Sequence, residues 1–355
     1  MIIIKKLIPI TAIALSAVLF AGSAPLTGAA RTACADDTKS QTSKITVSFT
    51  GDCTLGSDSR YNTNFISTCN SNGTDYFLKN VKNVFTKDDL TLVNFEGTLT
   101  ESTSRANKTY TFKGSKSYTK ILTGSGVEAV NIANNHTKDF GETGYNDTIS
   151  ALKAAGILYS GYSKIAYKRV KGIKIAMIGQ SALSAYSESS VISETKKLIK
   201  QARKKDADIV ITSFHWGIEG DYYPNSKQKN IAKAAIDNGS DIVIGHHPHV
   251  LQGLSTYKGK YIAYSLGNFC FGGNSNPKDK DTMILQATFE VNSDNDIEDT
   301  SLKVIPCSLS GSSSRNDFQP RILSGSEKTS LIKKLNGISK DFSIKIKKNG
   351  LVTTS

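Results

Sequence analysis

Histidine is scarce in this chain of 355 residues, and none of the five stands alone. They occupy Asn134-Asn135-His136, His215-Trp216-Gly217 and His246-His247-Pro248-His249. There is no C-x-x-C pair, which excludes a cysteine-bound zinc of the usual spacing. There is no G-x-S-x-G elbow either, so Ser265 and Cys53 lack the setting of a hydrolase nucleophile. No internal repeat and no long linker divide the sequence. No apolar run reaches the roughly twenty residues that a membrane-spanning helix needs. Acidic residues are in deficit, 31 against 44 lysines and arginines, for a net charge of +13.

What is present begins with an export-type leader. Lys5 and Lys6 precede an uncharged stretch from Leu7 to Ala21, and a small-residue region ends Ala33-Cys34-Ala35 before Asp36. Residues 1–35 are therefore expected to be a signal peptide, with an uncleaved anchor as the alternative. Arg31 stands where a lipoprotein signal wants an aliphatic residue, so lipidation of Cys34 is not expected. The charge that remains is still basic. On an exported chain it suits anionic partners outside the membrane, such as wall polymers, lipid headgroups or a polycarboxylate, rather than nucleic acid. Four cysteines, Cys53, Cys69, Cys270 and Cys307, would survive cleavage and allow three pairings. Cys53 could instead be a free thiol beside the centre described next.

From Lys44 onward β-branched apolar runs alternate with helical segments, the pattern of an α/β domain. Strands are expected over 45–49, 91–95, 129–132, 173–178, 208–213 and 241–244, and helices over 147–155 and 193–204. A further helix starts near Asn225 and ends at Asn238-Gly239. The runs 261–266, 283–291 and 302–305 follow one another without helices and are read as a second sheet. A domain over 44–322 is followed by a short helix over 326–335 and a basic tail within 323–355.

Each candidate ligand follows one of these strands directly: Asp52, Glu96, Asn135 with His136, His215, and His247 with His249. Strand ends share one edge of a sheet, where α/β folds place their sites. Two carboxylates, an amide oxygen and three imidazoles, with no thiolate, suit Mn, Fe or Zn. A carboxylate such as Glu96 can bridge two divalent ions, which together activate water and clamp the oxygens of an in-line displacement. His136 then stands apart as an acid for the leaving group, oriented by Asp139 three residues later. Gly272-Gly273-Asn274 and Tyr222-Tyr223-Pro224 are connector-like segments that could wall a pocket.

The same residues carry a resemblance. Gly51-Asp52, Asn94-Phe95-Glu96-Gly97, Asn134-Asn135-His136-Thr137-Lys138-Asp139, His215-Trp216-Gly217-Ile218-Glu219, the run Gly245 to Gln252, Ser265-Leu266-Gly267-Asn268-Phe269 and Asn316-Asp317-Phe318-Gln319-Pro320 occur in one order. Together they resemble the CapA family of poly-γ-glutamate capsule biosynthesis, a branch of the calcineurin-like metallophosphoesterases. The resemblance implies a four-layer α/β/β/α sandwich. It implies Asp52 and His249 on one metal, Asn135, His215 and His247 on the other, Glu96 between them and His136 as general acid. His246 is left behind the ligands. Thr54 departs from the histidine that metallophosphoesterases usually carry on the first strand, a loss the CapA branch shares, and the first metal has one nitrogen ligand fewer.

Two functions follow from these expectations. One is an exported hydrolase of a phosphoester or an amide-linked anionic polymer, in capsule synthesis or export. The other is a non-catalytic metal-containing component that binds such a polymer. The resemblance also implies poly-γ-glutamate and membrane-bound capsule synthesis subunits as partners.

Overall fold

The computed structural model describes residues 42–61 and 63–354. The leader, its cleavage and Cys34 lie outside the described residues. Two sheets carry the chain. The first runs Arg321–Ile322, Ile297–Ser308, Asp281–Val291, Ser43–Thr54, Leu90–Phe95, Ala129–Asn131, Leu158–Ser160, with Asn268–Phe271 pairing the far end of Ser43–Thr54. The second runs Leu254–Tyr257, Lys260–Ala263, Ile242–His246, Ile209–His215, Ile173–Ser181, Ala166–Val170.

Alternation along the strands sorts side chains into three cores, and these define the layers. Ile45, Val47, Phe49, Leu90 and Leu92 of the first sheet meet Ile175, Met177, Ile209, Ile211, Ile242 and Ile244 of the second in one fully buried cluster. On its outer face the first sheet packs against the helices Phe65–Asn72, Lys82–Phe85, Thr119–Thr123 and Gly141–Ala154, through residues such as Phe65, Phe85, Leu122 and Leu152. The second sheet covers Val210, Phe214 and Val243 with Glu188–Arg203 and Ser226–Asp237, through Leu198, Ala202, Ile231 and Ala235. The layers are therefore α/β/β/α. Each fully buried aliphatic side chain favours this arrangement by about 1.5–3 kcal/mol over exposure.

The expected strands form, with the first lengthened to Ser43–Thr54 and the last to Ile297–Ser308, but the expected second sheet does not. Asp281–Val291 and Ile297–Ser308 pair antiparallel with each other and with Ser43–Thr54, so they extend the first sheet. Only Lys260–Ala263 joins the other sheet, parallel to Ile242–His246. Sequence order cannot reveal this, because each of these strands is apolar on alternate positions and fits either sheet. Two helices also begin earlier than their apolar periodicity: Gly141–Ala154 after a polar first turn, and Glu188–Arg203 at Ser187, whose side chain accepts from Ser190 N.

The helix Ser226–Asp237 is closed by a capping box, in which Asn225 and Gln228 exchange side-chain and backbone hydrogen bonds. Beyond residue 322 the chain forms the helix Gly325–Ile338 and a small hairpin of Ile344–Ile346 with Val352–Thr354. No helix among the described residues is long and apolar enough to cross a membrane.

Candidate metal centre

The parallel strands of both sheets end at one edge, and every candidate ligand stands there. Gly51 passes so close to the Gly267 carbonyl that a Cβ would lie 1.9 Å from its oxygen, and Asp52 N donates to the same oxygen at 2.9 Å. Only glycine tolerates this approach, which delivers Asp52 into the centre. Alternation then turns Cys53 the other way, into the helix-covered core with Cys69, Cys270 and Cys307. All four are buried free thiols, so none of the three pairings forms. Burial pushes the Cys53 thiol up to about 12, which removes it as a reactive group at the centre.

Glu96 follows Leu90–Phe95 and takes the same side as Asn94. Thr54 Oγ1, at the position of the departing residue, donates to the Glu96 carbonyl at 2.8 Å and fixes the strand end instead of offering a ligand. After Ala129–Asn131 a tight turn is held by Asn134, whose Oδ1 accepts His136 N at 3.0 Å and whose Nδ2 donates to Phe95 O at 2.7 Å. This turn presents Asn135 and His136 to different partners. Asn135 Oδ1 lies 2.7 Å from His215 Nε2, while His136 Nδ1 lies 2.7 Å from Asp139 Oδ2. His247 and His249 both have positive φ, 96° and 58°, a strained backbone that turns the imidazoles of the His-Pro-His run inward.

The arrangement has two halves joined by Glu96. On one side Asp52 Oδ2 is 3.1 Å from His249 Nδ1; on the other are Asn135 and His215, with His247 beside them at 4.7 Å between ring centres. Glu96 Oε1 is 3.6 Å from His215 Nε2 and 3.9 Å from His249 Nε2. Two groups of donor atoms lie close enough to hold an ion, Glu96 with His247 and His249, and Asp52 with Glu96 and His215, and both groups cross from one half to the other. Glu96 belongs to both. Its two oxygens are buried without any hydrogen-bond partner, as is His247 Nδ1. A carboxylate left so costs several kcal/mol unless a cation compensates it, and the oxygen and nitrogen donors present fit a divalent ion.

The charges agree with that fit. Burial, followed by the charge of Asp52, pushes Glu96 well above the carboxylate range. Burial acts against Asp52 too, but His249, His246 and Asn94 hold it below its ordinary value. Burial, with neighbouring imidazoles, keeps His215 neutral, and burial lowers His247 to about 4. His249 alone goes the other way: against its burial, Glu96 and Asp52 raise it to about 10. His246 is buried behind Asp52, 3.6 Å from Oδ1.

Asn131, Lys108 and Phe112 escaped the sequence reading, which held Asn94 and Asn268 only as members of motifs without a role. Asn131 Nδ2 donates to Asn94 Oδ1 at 2.9 Å, and Asn94 Nδ2 donates to Asp52 Oδ1 at 2.8 Å, an amide relay that aims the carboxylate. Asn268 Oδ1 is 2.9 Å from His249 Nδ1. Lys108 Nζ donates to Asp139 Oδ1 at 2.8 Å and Asn135 O at 2.7 Å, and Phe112 packs its ring 4.3 Å from that of His136. Lys108 and Phe112 come from an irregular loop with no periodic signal. The asparagines had one, since Asn94 and Asn131 break otherwise apolar strands. A cleft of about 770 Å³ opens over His136 and His249, lined also by Tyr61, Tyr110, Glu219 and Lys278. Of the two connector segments, Tyr222, Gly273 and Asn274 reach this cleft, while Tyr223 is exposed.

The profile of the bacterial capsule synthesis protein PGA_cap family matches residues 46–273, which contain every residue of the centre. The capsule biosynthesis protein CapA of Bacillus anthracis is 31% identical over 267 residues, 68% of this chain and 63% of that protein. The PGA biosynthesis protein CapA of Bacillus subtilis is 34% identical over 247 residues, 64% of this chain and 63% of that protein. The chain thus spans under two thirds of the length of these relatives. A novel phosphatase of Mycoplasma pneumoniae superposes at a TM-score of 0.47 with 16% identity, covering 75% of this chain and 95% of that one. With the family profile spanning the whole strand-end edge, and with it Asp52, Glu96, the Asn135 turn and the His-Pro-His run, the chain belongs to the bacterial capsule synthesis protein PGA_cap family.

Proposed function

We propose that the chain is an exported, metal-dependent hydrolase that acts on an anionic cell-surface polymer of the poly-γ-glutamate class during capsule synthesis or export. The observation that carries this reading is Glu96, whose two buried oxygens have no donor and lie between two sets of ligands. Asp52 and His249 would hold one ion, Asn135, His215 and His247 the other, with Glu96 shared; Mn, Fe and Zn fit the donor set. Divalent ions there would supply Lewis acidity toward water and substrate oxygen.

The remaining steps belong to the chain's own residues. His136 faces the cleft with Asp139 behind it, so it is placed to give a proton to a leaving group. Lys108 compensates the Asp139 carboxylate, and Phe112 excludes water from one face of the imidazole. The basic surface favours approach of a polyanion. Lys5, Lys6 and the uncharged stretch after them support export, and the names of the Bacillus relatives support a place in polymer biosynthesis, for which membrane-bound synthesis subunits are the proposed partners.

The second reading is a non-catalytic component that binds the polymer, favoured by those relatives being named for biosynthesis. Elemental mass spectrometry of the purified chain, followed by chain-length analysis of poly-γ-glutamate incubated with it and with His136→Ala, separates the two. Two ions per chain and shortening that disappears in His136→Ala support the hydrolase. Bound polymer of unchanged length in both proteins supports the second reading. No retained ion after reconstitution with Mn or Zn overturns the metal centre.

A further inference from the structure

The chain as a whole is basic, but the cleft over His136 and His249 is not. Among the described residues that line it, Lys278 is the only lysine and there is no arginine, while Glu219 and Asp279 are carboxylates. Asp279 is already compensated, since its Oδ2 accepts from Lys334 Nζ and from the Tyr222 hydroxyl, both at 2.7 Å. One charge of each sign is left. The side chains of Glu219 and Lys278 are exposed and make no ion pair or hydrogen bond among the described residues. Glu219 stands between Gly217 and Gly220, both at positive φ, 82° and 77°. Gly220 N donates to Pro248 O at 2.8 Å, so this turn is tied to the His-Pro-His run. The Glu219 carboxylate acts electrostatically on Glu96, His247 and His249. An unpaired carboxylate so placed repels the middle of a polyanion, because like charges brought together across a contact are strongly disfavoured.

The units of a γ-linked polyglutamate differ in charge. An internal unit shows an α-carboxylate and no cation, and the carboxyl-terminal unit shows two carboxylates. Only the amino-terminal unit carries an ammonium beside its α-carboxylate. Glu219 disfavours the first two and accepts the ammonium of the third, while Lys278 supplies a counter-charge for the α-carboxylate of that unit. The amide that joins this unit to the next lies only a few bonds from the ammonium. That suits a carboxylate on the wall of the cleft, beside the centre rather than within it.

We propose that Glu219 and Lys278 recognise the amino-terminal unit of the polymer, so that the cleft takes chain ends and not chain interiors. This rests on the reading of the cleft as the site of a polyglutamate hydrolase. The bond then broken is the first γ-amide. Water gives its hydroxyl to the γ-carbonyl carbon, and His136 gives a proton to the departing nitrogen, which becomes the new amino end. The proton left from water restores His136, and one glutamate is released in each turnover. The test is isothermal titration calorimetry of the full chain, reconstituted with Mn, against γ-linked pentaglutamate and its N-acetyl form. It is made in His136→Ala, which leaves the ligand uncleaved, with and without Glu219→Gln or Lys278→Met. The pentamer with a free amino end should bind about tenfold more tightly than the acetylated one. Glu219→Gln should abolish that preference, and Lys278→Met should weaken both ligands. Both side chains are exposed, so an unchanged thermal melt is the control for folding. Equal binding of the two forms, a preference that survives Glu219→Gln, or binding of neither form would overturn the proposal. Product analysis with the wild-type chain separates it from the reading on which it rests. Internal cleavage of the acetylated pentamer would keep the hydrolase and overturn end recognition. A preference for the free end with no glutamate released would support end recognition and overturn the hydrolase alone.

Discussion

His136 Nδ1 lies 2.7 Å from Asp139 Oδ2, and the same carboxylate accepts Phe112 N through Oδ2 and Lys108 Nζ through Oδ1. Burial lowers the His136 pKa, and Asp139 opposes it. Asp139→Asn should therefore leave less imidazolium at neutral pH. Activity should fall about 10- to 100-fold, with the optimum displaced to lower pH, while His136→Ala should cost about 100- to 10,000-fold. Bound metal should be unchanged in both, so the check is a pH–rate profile beside elemental analysis.

Removing ligands should have the opposite signature. His215→Ala and His247→Ala should each reduce bound metal to at most one ion per chain, and Glu96→Gln should weaken both positions because the carboxylate stands between them. Fold is expected to survive, since Glu96, His215 and His247 belong to none of the three hydrophobic cores. Metal content with a circular dichroism melt tests this; two ions retained in Glu96→Gln would sink the shared-ligand arrangement.

Metal uptake should also release protons. His249 is held to about 10 by Glu96 and Asp52, and Glu96 is itself raised, so the metal-free centre carries protons at pH 7 that a cation must displace. Titration with Zn or Mn in buffers of different ionisation enthalpy should show at least one proton released per chain, and the apparent affinity should rise with pH.

Asn131 is predicted to matter without touching a ligand atom. Its amide orients Asn94, and Asn94 orients Asp52. Gly179 leaves the room it needs, since a Cβ there would lie 2.0 Å from Asn131 Oδ1. Asn131→Leu should lower metal affinity by roughly 10- to 100-fold, the usual effect of losing an outer partner of a ligand. A competition titration against a chromogenic chelator reads it directly.

Asp88 gives a stability prediction. Burial raises its pKa to about 6, with Glu128 and Asp89 adding to the rise and Ser48 and Thr91 opposing it, and its Oδ1 is buried without a partner. The folded pKa lies above the ordinary 3.8 of an aspartate, so folding takes up a proton between these values. Stability is lost as pH rises through that window. Asp88→Asn should stabilise the protein at pH 7–8 by about 0.5–1 kcal/mol, discounted for partial exposure, and make no difference below pH 4. Urea unfolding at pH 4 and pH 7.5 measures both arms.

Much of the centre was legible because its signal is local. A ligand placed directly after an apolar strand must lie at a strand end, and six strands in one α/β pattern share that edge; Asp52, Glu96, Asn135, His215, His247 and His249 all followed from this. The ring of Phe112, the Lys108 ammonium and the asparagine relay did not. They act across 24 to 42 residues of sequence, and only packing brings them to their partners. Cys53 illustrates the same limit at short range, since its neighbour Asp52 enters the centre while alternation sends the thiol to the opposite core.

The sequence by itself determined the class of fold, the strand-end edge where the candidate ligands gather and the donor types, because alternation, capping and the residue that follows an apolar strand are properties of adjacent residues. Tertiary structure alone decided which sheet received Asp281–Val291 and Ile297–Ser308, and that Lys108 and Phe112 reach Asp139 and His136. Those depend on register and on contacts between distant segments, for which an apolar strand carries no address of its own.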